Sequence, residues 1–345
     1  MHKLKKSLWM IMFAAVLLLA GCVEGEPVGE SESGGEGNES GSDRGEVFTI
    51  ARSTDAEVMD PGNATSDGDM DIVWHIFDGL VKFKNDDLEV EPALATEWET
   101  SEDGLTWTFQ LREDVTFHDG TEFNAEAVET SFMRIFDEDH PYYGMIQGSY
   151  SYTDYLLGDV LDEVVAVDDY TVEFRLNQKF APFLTYMGYY SQFIVSPTAL
   201  EEKGADFVNH PVGTGPFEFV NWQKGEYVEL KKNEDYWGDV PEIDTLVFKV
   251  VPESSTRLME LQSGEVQAIK SLNPDQLPSI EENEELKLHK SQGTNLFHIS
   301  INTTKEPFDD QRVRQALNYA VDVDRIVEHI FKGNAEKAIN FLPPS

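Results

Sequence analysis

The chain is almost without cysteine: of its 345 residues only Cys22 is one, so no intramolecular disulfide and no paired-thiolate metal site can form. Basic residues are scarce as well. Against 65 Asp+Glu stand 26 Lys+Arg, a formal charge of −39, and a surface of that sign repels phosphates and counts against nucleic-acid binding. A membrane-spanning apolar run, about 20 residues long, is missing; the run from Leu8 to Ala20 is too short. Catalytic signatures are lacking too. No HExxH, GxSxG, Walker A or GxGxxG pattern occurs in its required context. The eight His (His2, His75, His118, His140, His210, His289, His298, His329) show no ligand spacing at i,i+2 or i,i+4, and the abundance of Asp and Glu empties any paired-carboxylate argument.

What is present suits a globular protein long enough for two domains and part of a third, with 40% hydrophobic and 11% aromatic residues. The acidic excess points to a protein that meets high salt, where a Debye length of roughly 3 Å at 1 M removes most self-repulsion. Lys3, Lys5 and Lys6 precede the apolar run, and Leu19-Ala20-Gly21-Cys22 ends it, the layout of a signal peptide. LAGC resembles a bacterial lipobox, which implies cleavage before Cys22 and lipidation of its thiol. A plain secretory signal with an incidental Cys is the alternative. Val23 to Glu46 turns abruptly to Gly, Ser and Glu, a composition that cannot build a core and reads as a disordered tether.

The body opens on the strand VFTIA, Val47–Ala51, followed by a polar loop from Asp60 to Asp71. Asp67, Asp69 and Asp71 invite a calcium reading but fail the EF-hand pattern, since Ile72 stands where the turn glycine belongs. Solvated loop acids are the expectation. Leu105, Trp107, Phe109 and Leu111 alternate behind an Asp103-Gly104 turn, and Asn124 caps an amphipathic helix bearing Val128 and Phe132. A Tyr-rich stretch, Asp137 to Thr153, either lines a ligand cleft or anchors a loop to the core. Val164–Leu176 forms a hairpin through Asp168-Asp169.

Val212–Gly238 reads as turn, strand, turn, strand, turn, with Lys224-Gly225 at the hairpin. Ile243–Val250, a helix capped by Ser254 and stopped by Gly264, and Val266–Ile269 suit one βαβ unit. Leu296–Ile301 is a further expected strand, and Phe308–Tyr319 and Asp322–Phe331 are two amphipathic helices.

Four stretches carry a resemblance: PALATEWETSEDGLTWTFQLREDVTFHDGTEFNAEAV, VGTGPFEFVNWQKGEYVELKKNEDYWG, RLMELQSGEV, and NLFHISINTTKEPFDDQRVRQALNYAVDVDRIV. Together and in this order they resemble family 5 of the extracellular solute-binding proteins, the oligopeptide-, dipeptide- and nickel-binding components of ABC importers. The resemblance implies an α/β, periplasmic-binding-protein-like fold (type II, cluster C) with an inserted domain and, past Pro343-Pro344, a second lobe largely missing. On this chain it implies a signal peptide over 1–21, a lipidated Cys22 and tether over 22–46, and lobe I over 47–84 and 197–292. The inserted α/β domain takes 85–196, and 293–345 begins lobe II.

The implied function is ligand capture between two hinged lobes, outside the cell membrane and anchored to it through the lipid on Cys22. Expected partners are a peptide ligand and an ABC permease, with no cofactor, no metal, no nucleic acid and a monomeric state. Implied ligand-binding residues are Thr65, Ser66, Asp67, Tyr142, Tyr143, Thr214, Thr294 and Asn295; Asp67 as a turn residue and Asn295 as a strand cap are the structural alternatives. Two other classes remain: a truncated scaffold without a transport role, and an exported lipoprotein hydrolase, for which no nucleophile–base constellation is visible.

Overall fold

A computed structural model describes residues 45–84, 89–145, 151–290 and 296–339. Cys22, the tether up to residue 44, Thr294, Asn295 and Pro343-Pro344 lie outside them. In chain order, β1 (Val47–Arg52) leads to α1 (Asp67–Ile76), and β2 (Val81–Phe83) pairs antiparallel with β3 (Val90–Pro92). Next come β4 (Ala95–Thr100), β5 (Thr106–Leu111), α2 (Ala125–Phe136), α3 (Tyr152–Leu157), β6 (Leu161–Asp168), β7 (Thr171–Leu176) and α4 (Phe183–Met187). Then follow α5 (Pro197–Lys203), β8 (Phe217–Gln223), β9 (Tyr227–Lys232), β10 (Thr245–Val250), α6 (Ser254–Ser263), β11 (Ala268–Ile269) and α7 (Leu277–Glu281). The last two helices are α8 (Gln311–Ala320) and α9 (Val323–His329).

A five-stranded mixed sheet takes the order β11-β1-β10-β9-β8. β1 is parallel to both β10 and β11, so the β10-α6-β11 crossover steps over β1. The parallel strands therefore end together, at Arg52, Val250 and Ile269, and such an edge is where open α/β sheets bind ligands. α1 lays Ile72, Val73 and Ile76 against Val228, Leu230, Leu246 and Phe248, all fully or almost fully buried. Each such side chain contributes roughly 1.5–3 kcal/mol on leaving water. In the β8–β9 hairpin, Gly225 takes φ +80°, and a register shift between Phe219 and Asn221 lets Phe217, Phe219 and Trp222 all pack on that same core.

The second sheet is antiparallel throughout, in the order β4-β5-β7-β6. α2 covers it because its apolar stripe, Val128 and Phe132, meets β7; the Phe132 ring stands perpendicular to Phe174 at 4.9 Å. Asn124 caps α2 as its sequence predicts, its side chain accepting from the Ala127 amide at 3.0 Å. Traffic between the two sheets is stitched where the chain departs and returns: the Ile194 amide donates to the Asp78 carbonyl at 3.0 Å.

Several expectations are corrected. Asp67, Asp69 and Asp71 are not loop acids, because the helix begins at Asp67, with Ser66 as its cap. Ser254 is the first residue of α6 rather than its cap; that position belongs to Glu253, and the Ser254 hydroxyl bonds Gln276 instead. The β6–β7 turn is centred on Asp169-Tyr170, since Asp168 itself pairs with Thr171. Leu296–Ile301 forms no strand, and Phe297 and Ile299 stand 80% and 83% exposed. An alternating run becomes a strand only when a neighbour takes its N–H and C=O groups, and no described strand lies beside it.

Candidate functional site

The loop from Ser53 to Ser66 leaves the C-terminal end of β1 and turns into α1. Its shape is set by two buried carboxylates. Asp69, 1% exposed, accepts four backbone amides: Glu57 (2.6 Å) and Val58 (3.1 Å) on one oxygen, Thr65 (3.2 Å) and Ser66 (3.0 Å) on the other. The Ser66 hydroxyl accepts the Asp69 amide in return, closing a capping box. Asp60 forms a two-pronged ion pair with Arg134 of α2, at 2.7 and 2.8 Å, with both side chains 2% exposed, and it also accepts the Gly62 amide. Pinned at both ends, the loop presents Thr65 and Asp67 exposed and Ser66 half-buried.

Arg52, at the end of β1, donates to the Gly68 carbonyl at 2.6 Å and lies over the Phe248 ring. Burial pulls its guanidinium below the usual value, and the charges of Asp71, Asp55 and Asp69 oppose that pull. Lys270, just past β11, pairs with Asp71 on α1. His75 donates its Nδ1 proton to the Asp71 carbonyl at 2.7 Å, and burial holds its imidazole below the usual range, hence neutral at pH 7.

Thr214 is fully buried, and its hydroxyl donates to Asp78 at 3.0 Å. That makes it a support of its loop, turned away from any surface a ligand could reach. Asp78 also accepts from the Trp237 indole at 2.8 Å and the Tyr236 hydroxyl at 3.2 Å; burial pushes its carboxyl up, and these donors push the other way. Flanking Gly213 and Gly215 pass so close to α1 that a Cβ would meet the Ile76 backbone at 2.2 and 2.5 Å. His118 completes the clasp, its Nε2 proton donated to the Gly215 carbonyl at 2.9 Å.

The two tyrosines part company. Tyr142 packs on the core that α1 covers, burial raising its hydroxyl above the usual value, whereas Tyr143 is 45% exposed. Thr294 and Asn295 lie outside the described residues. The structure adds an aromatic row that the sequence does not single out. Trp74 of α1 meets Phe193 edge-on at 4.9 Å and Tyr190 at 6.2 Å, and Tyr190 stacks on Tyr152 at 6.0 Å. The row is tied to the loop by the Tyr190 hydroxyl, which donates to the Ala64 carbonyl, and by the Tyr152 amide, which donates to Gly62. Its sequence signal is weak: only the spacing of Trp74 from Asp67, seven residues along one helix, hints at it.

On the same edge of the sheet, a cavity of about 430 Å³ is lined by Ser254, Ser271, Asn273 and Asp275 on the β10 and β11 side and by His329, the last residue of α9, and Phe331 just past it. That volume is in the range of small-molecule sites. Among the described residues no group of His, Cys, Asp and Glu could hold a metal ion, and no helix is long and apolar enough to cross a membrane.

A mixed sheet with parallel strands ending at a loop-lined crevice, and a second α/β unit inserted after its first helix, defines a type II periplasmic-binding-protein-like fold. A solved Helicobacter pylori structure, the ABC transporter-associated periplasmic binding protein DppA in complex with the peptide STSA, matches it with a TM-score of 0.80 at 36% identity, over 86% of this chain and 60% of that one. Residues 89–345 match the model of the bacterial extracellular solute-binding proteins, family 5 (middle), and the chain belongs to that family. It is 38% identical to the dipeptide-binding protein of Escherichia coli (strain K12) over 282 residues, 78% of this chain and 53% of that protein. It is 37% identical to heme-binding protein A of Haemophilus influenzae, over 78% of this chain and 52% of that protein. The chain thus spans about half the length of the curated relatives it matches.

Proposed function

We propose that this chain supplies one wall of the capture site of an extracytoplasmic binding protein, one that takes up short peptides and hands them to an ABC permease. The observation that carries the reading is the shared edge: the Thr65–Asp67 loop and the 430 Å³ cavity both stand at the C-terminal ends of the parallel strands. The likeness to a peptide-bound protein supports peptide as the solute. Lobe I comprises 47–84 and 197–292, the inserted domain 85–196, and 293 onward starts the facing lobe. Capture by closing the lobes is binding without chemistry, so the protein is not an enzyme. The lipid on Cys22 holds it to the outer face of the membrane.

Calorimetry decides the solute. A chimera in which residues 45–339 are followed by the remaining length of the Escherichia coli dipeptide-binding protein is titrated with trialanine, with haem and with a nickel–histidine complex. Heat with trialanine supports the reading; a folded chimera that takes haem or nickel–histidine and ignores the peptide overturns it. For the anchor, labelling with a radioactive fatty acid is expected in the native chain and lost in Cys22→Ala; equal labelling of the two refutes the anchor.

A further inference from the structure

We propose that Arg257 is a positioning residue of the capture site, holding Ser271 in the left-handed backbone conformation from which the loop Ser271–Asp275 lines the cavity; this rests on the peptide-capture reading above. Arg257 stands on α6, the helix of the β10-α6-β11 crossover, and is 3% exposed. Its guanidinium donates to four carbonyls. Two of them, Val251 (2.6 Å) and Pro252 (2.9 Å), lie where the chain leaves β10; the others, Lys270 (3.2 Å) and Ser271 (2.6 Å), lie where it leaves β11. Since β1 runs between those two strands, one side chain bridges the exits on either side of it.

The first residue of each exit is also fixed to β1. The Val251 amide donates to the Arg52 carbonyl at 2.8 Å and the Lys270 amide to the Ala51 carbonyl at 3.0 Å. Ser271 has no such support. Its bond to Arg257 is the only hydrogen bond it makes among the described residues. Yet it takes φ +60°, a region that side-chain-bearing residues enter at a cost. The loop is next tied at Asn273, whose amide donates to Gln276 at 3.2 Å; Gln276 also bonds the hydroxyl and the carbonyl of Ser254.

The kind of residue at 257 argues for positioning rather than filling. Whereas Arg134 meets Asp60, Arg257 pairs with no carboxylate among the described residues. A buried charge without a counter-ion is costly, and an apolar side chain of similar volume would fill the space more cheaply. What hydrocarbon lacks is a planar fork of five N–H donors, and here the fork reaches four carbonyls on two separate segments. Lysine would keep the charge and lose the fork. Ser271 at one end of this bridge, and Ser254 two residues past Pro252 at the other, both line the cavity.

Freed from Arg257, a serine at 271 should be left-handed about a tenth of the time and a glycine about half of it. Affinity falls by the fraction of chains that keep the competent loop. The test compares the full chain with Arg257→Lys, Ser271→Gly and the double variant, each first shown to be folded by urea unfolding. In protein with ¹³C-labelled serine, the Ser271 Cα and Cβ resonances, assigned by their loss in Ser271→Gly, report its backbone conformation. Arg257→Lys should move them away from left-handed values. Trialanine is then titrated calorimetrically into the full chain and into the chimera described above. Arg257→Lys should weaken binding about tenfold with serine at 271 and about twofold with glycine there. Equal weakening in the two backgrounds, or unmoved Ser271 resonances, would mean that Arg257 serves stability alone and overturns the inference. Should Arg257→Lys not fold, Arg257→Gln takes its place in the same comparison. If trialanine binds neither the chain nor the chimera while the Ser271 resonances move, the peptide-capture reading falls and the hold of Arg257 on the loop stands.

Discussion

Removing the carboxylate of Asp78 tests the clasp that holds Gly213-Thr214-Gly215 against α1. In Asp78→Ala three donors lose their acceptor: the Trp237 indole at 2.8 Å, the Thr214 hydroxyl at 3.0 Å and the Tyr236 hydroxyl at 3.2 Å. A buried donor left unsatisfied costs about 1–3 kcal/mol. The two hydroxyls can rotate to other partners; the indole N–H cannot. Counting the indole in full and the hydroxyls in part gives a loss of about 2–4 kcal/mol, lessened because the cost of burying the carboxyl is removed with it. Urea unfolding should show a lower midpoint at unchanged m.

The pH dependence is the sharper readout. Burial raises the folded-state pKa of Asp78 above the unfolded value, which is about 3.9. Across that window the native state binds the extra proton, so the Asp78 contribution to stability is fully present below the unfolded pKa and is lost as pH rises through the folded one. In Asp78→Asn the contribution no longer titrates. The stability difference between native protein and Asp78→Asn should therefore shrink from pH 4 towards neutrality. A difference that grows with pH would refute the reasoning, because it would mean that the three donors outweigh desolvation.

Three further outcomes are expected. Arg134→Met leaves Asp60 buried without its partner and should cost about 3–5 kcal/mol in urea unfolding, whereas Asp60→Leu/Arg134→Met should recover much of that loss; a double variant no better than the single one would point to the Gly62 contact instead. Gly215→Ala must move the Ile76 backbone, which a Cβ would approach to 2.5 Å, and should lower stability by about 1–3 kcal/mol, with no effect if the loop shifts freely. With a formal charge of −39, the melting temperature should climb between 0.05 and 1 M NaCl, and full stability at the lowest salt would contradict the high-salt reading.

Local pattern was legible throughout the described body. The apolar run VFTIA, the Asn124 cap, the Gly225 hairpin and the Gly264 stop each act within a few residues, and each appears where its residues predict it, the strand running one residue further to Arg52. The strand expected at Leu296–Ile301 and the loop expected through Asp71 show the limit of such patterns, since one needed a neighbour and the other had a cap-driven helix start.

By itself the sequence determined the acidic character, the lack of catalytic and metal motifs and the element pattern, because composition and short-range periodicity carry these, and four stretches in order carried the family likeness. Only the tertiary structure decided what the polar residues do. Asp60 meets Arg134 across 74 positions, Thr214 meets Asp78 across 136, and Trp237 meets Asp78 across 159. No local spacing encodes such pairs. They exist because two sheets, once folded, bring loops together and bury charges that must then be paired or bonded. The same folding step turned Thr214 inward and left Asp67 in the open.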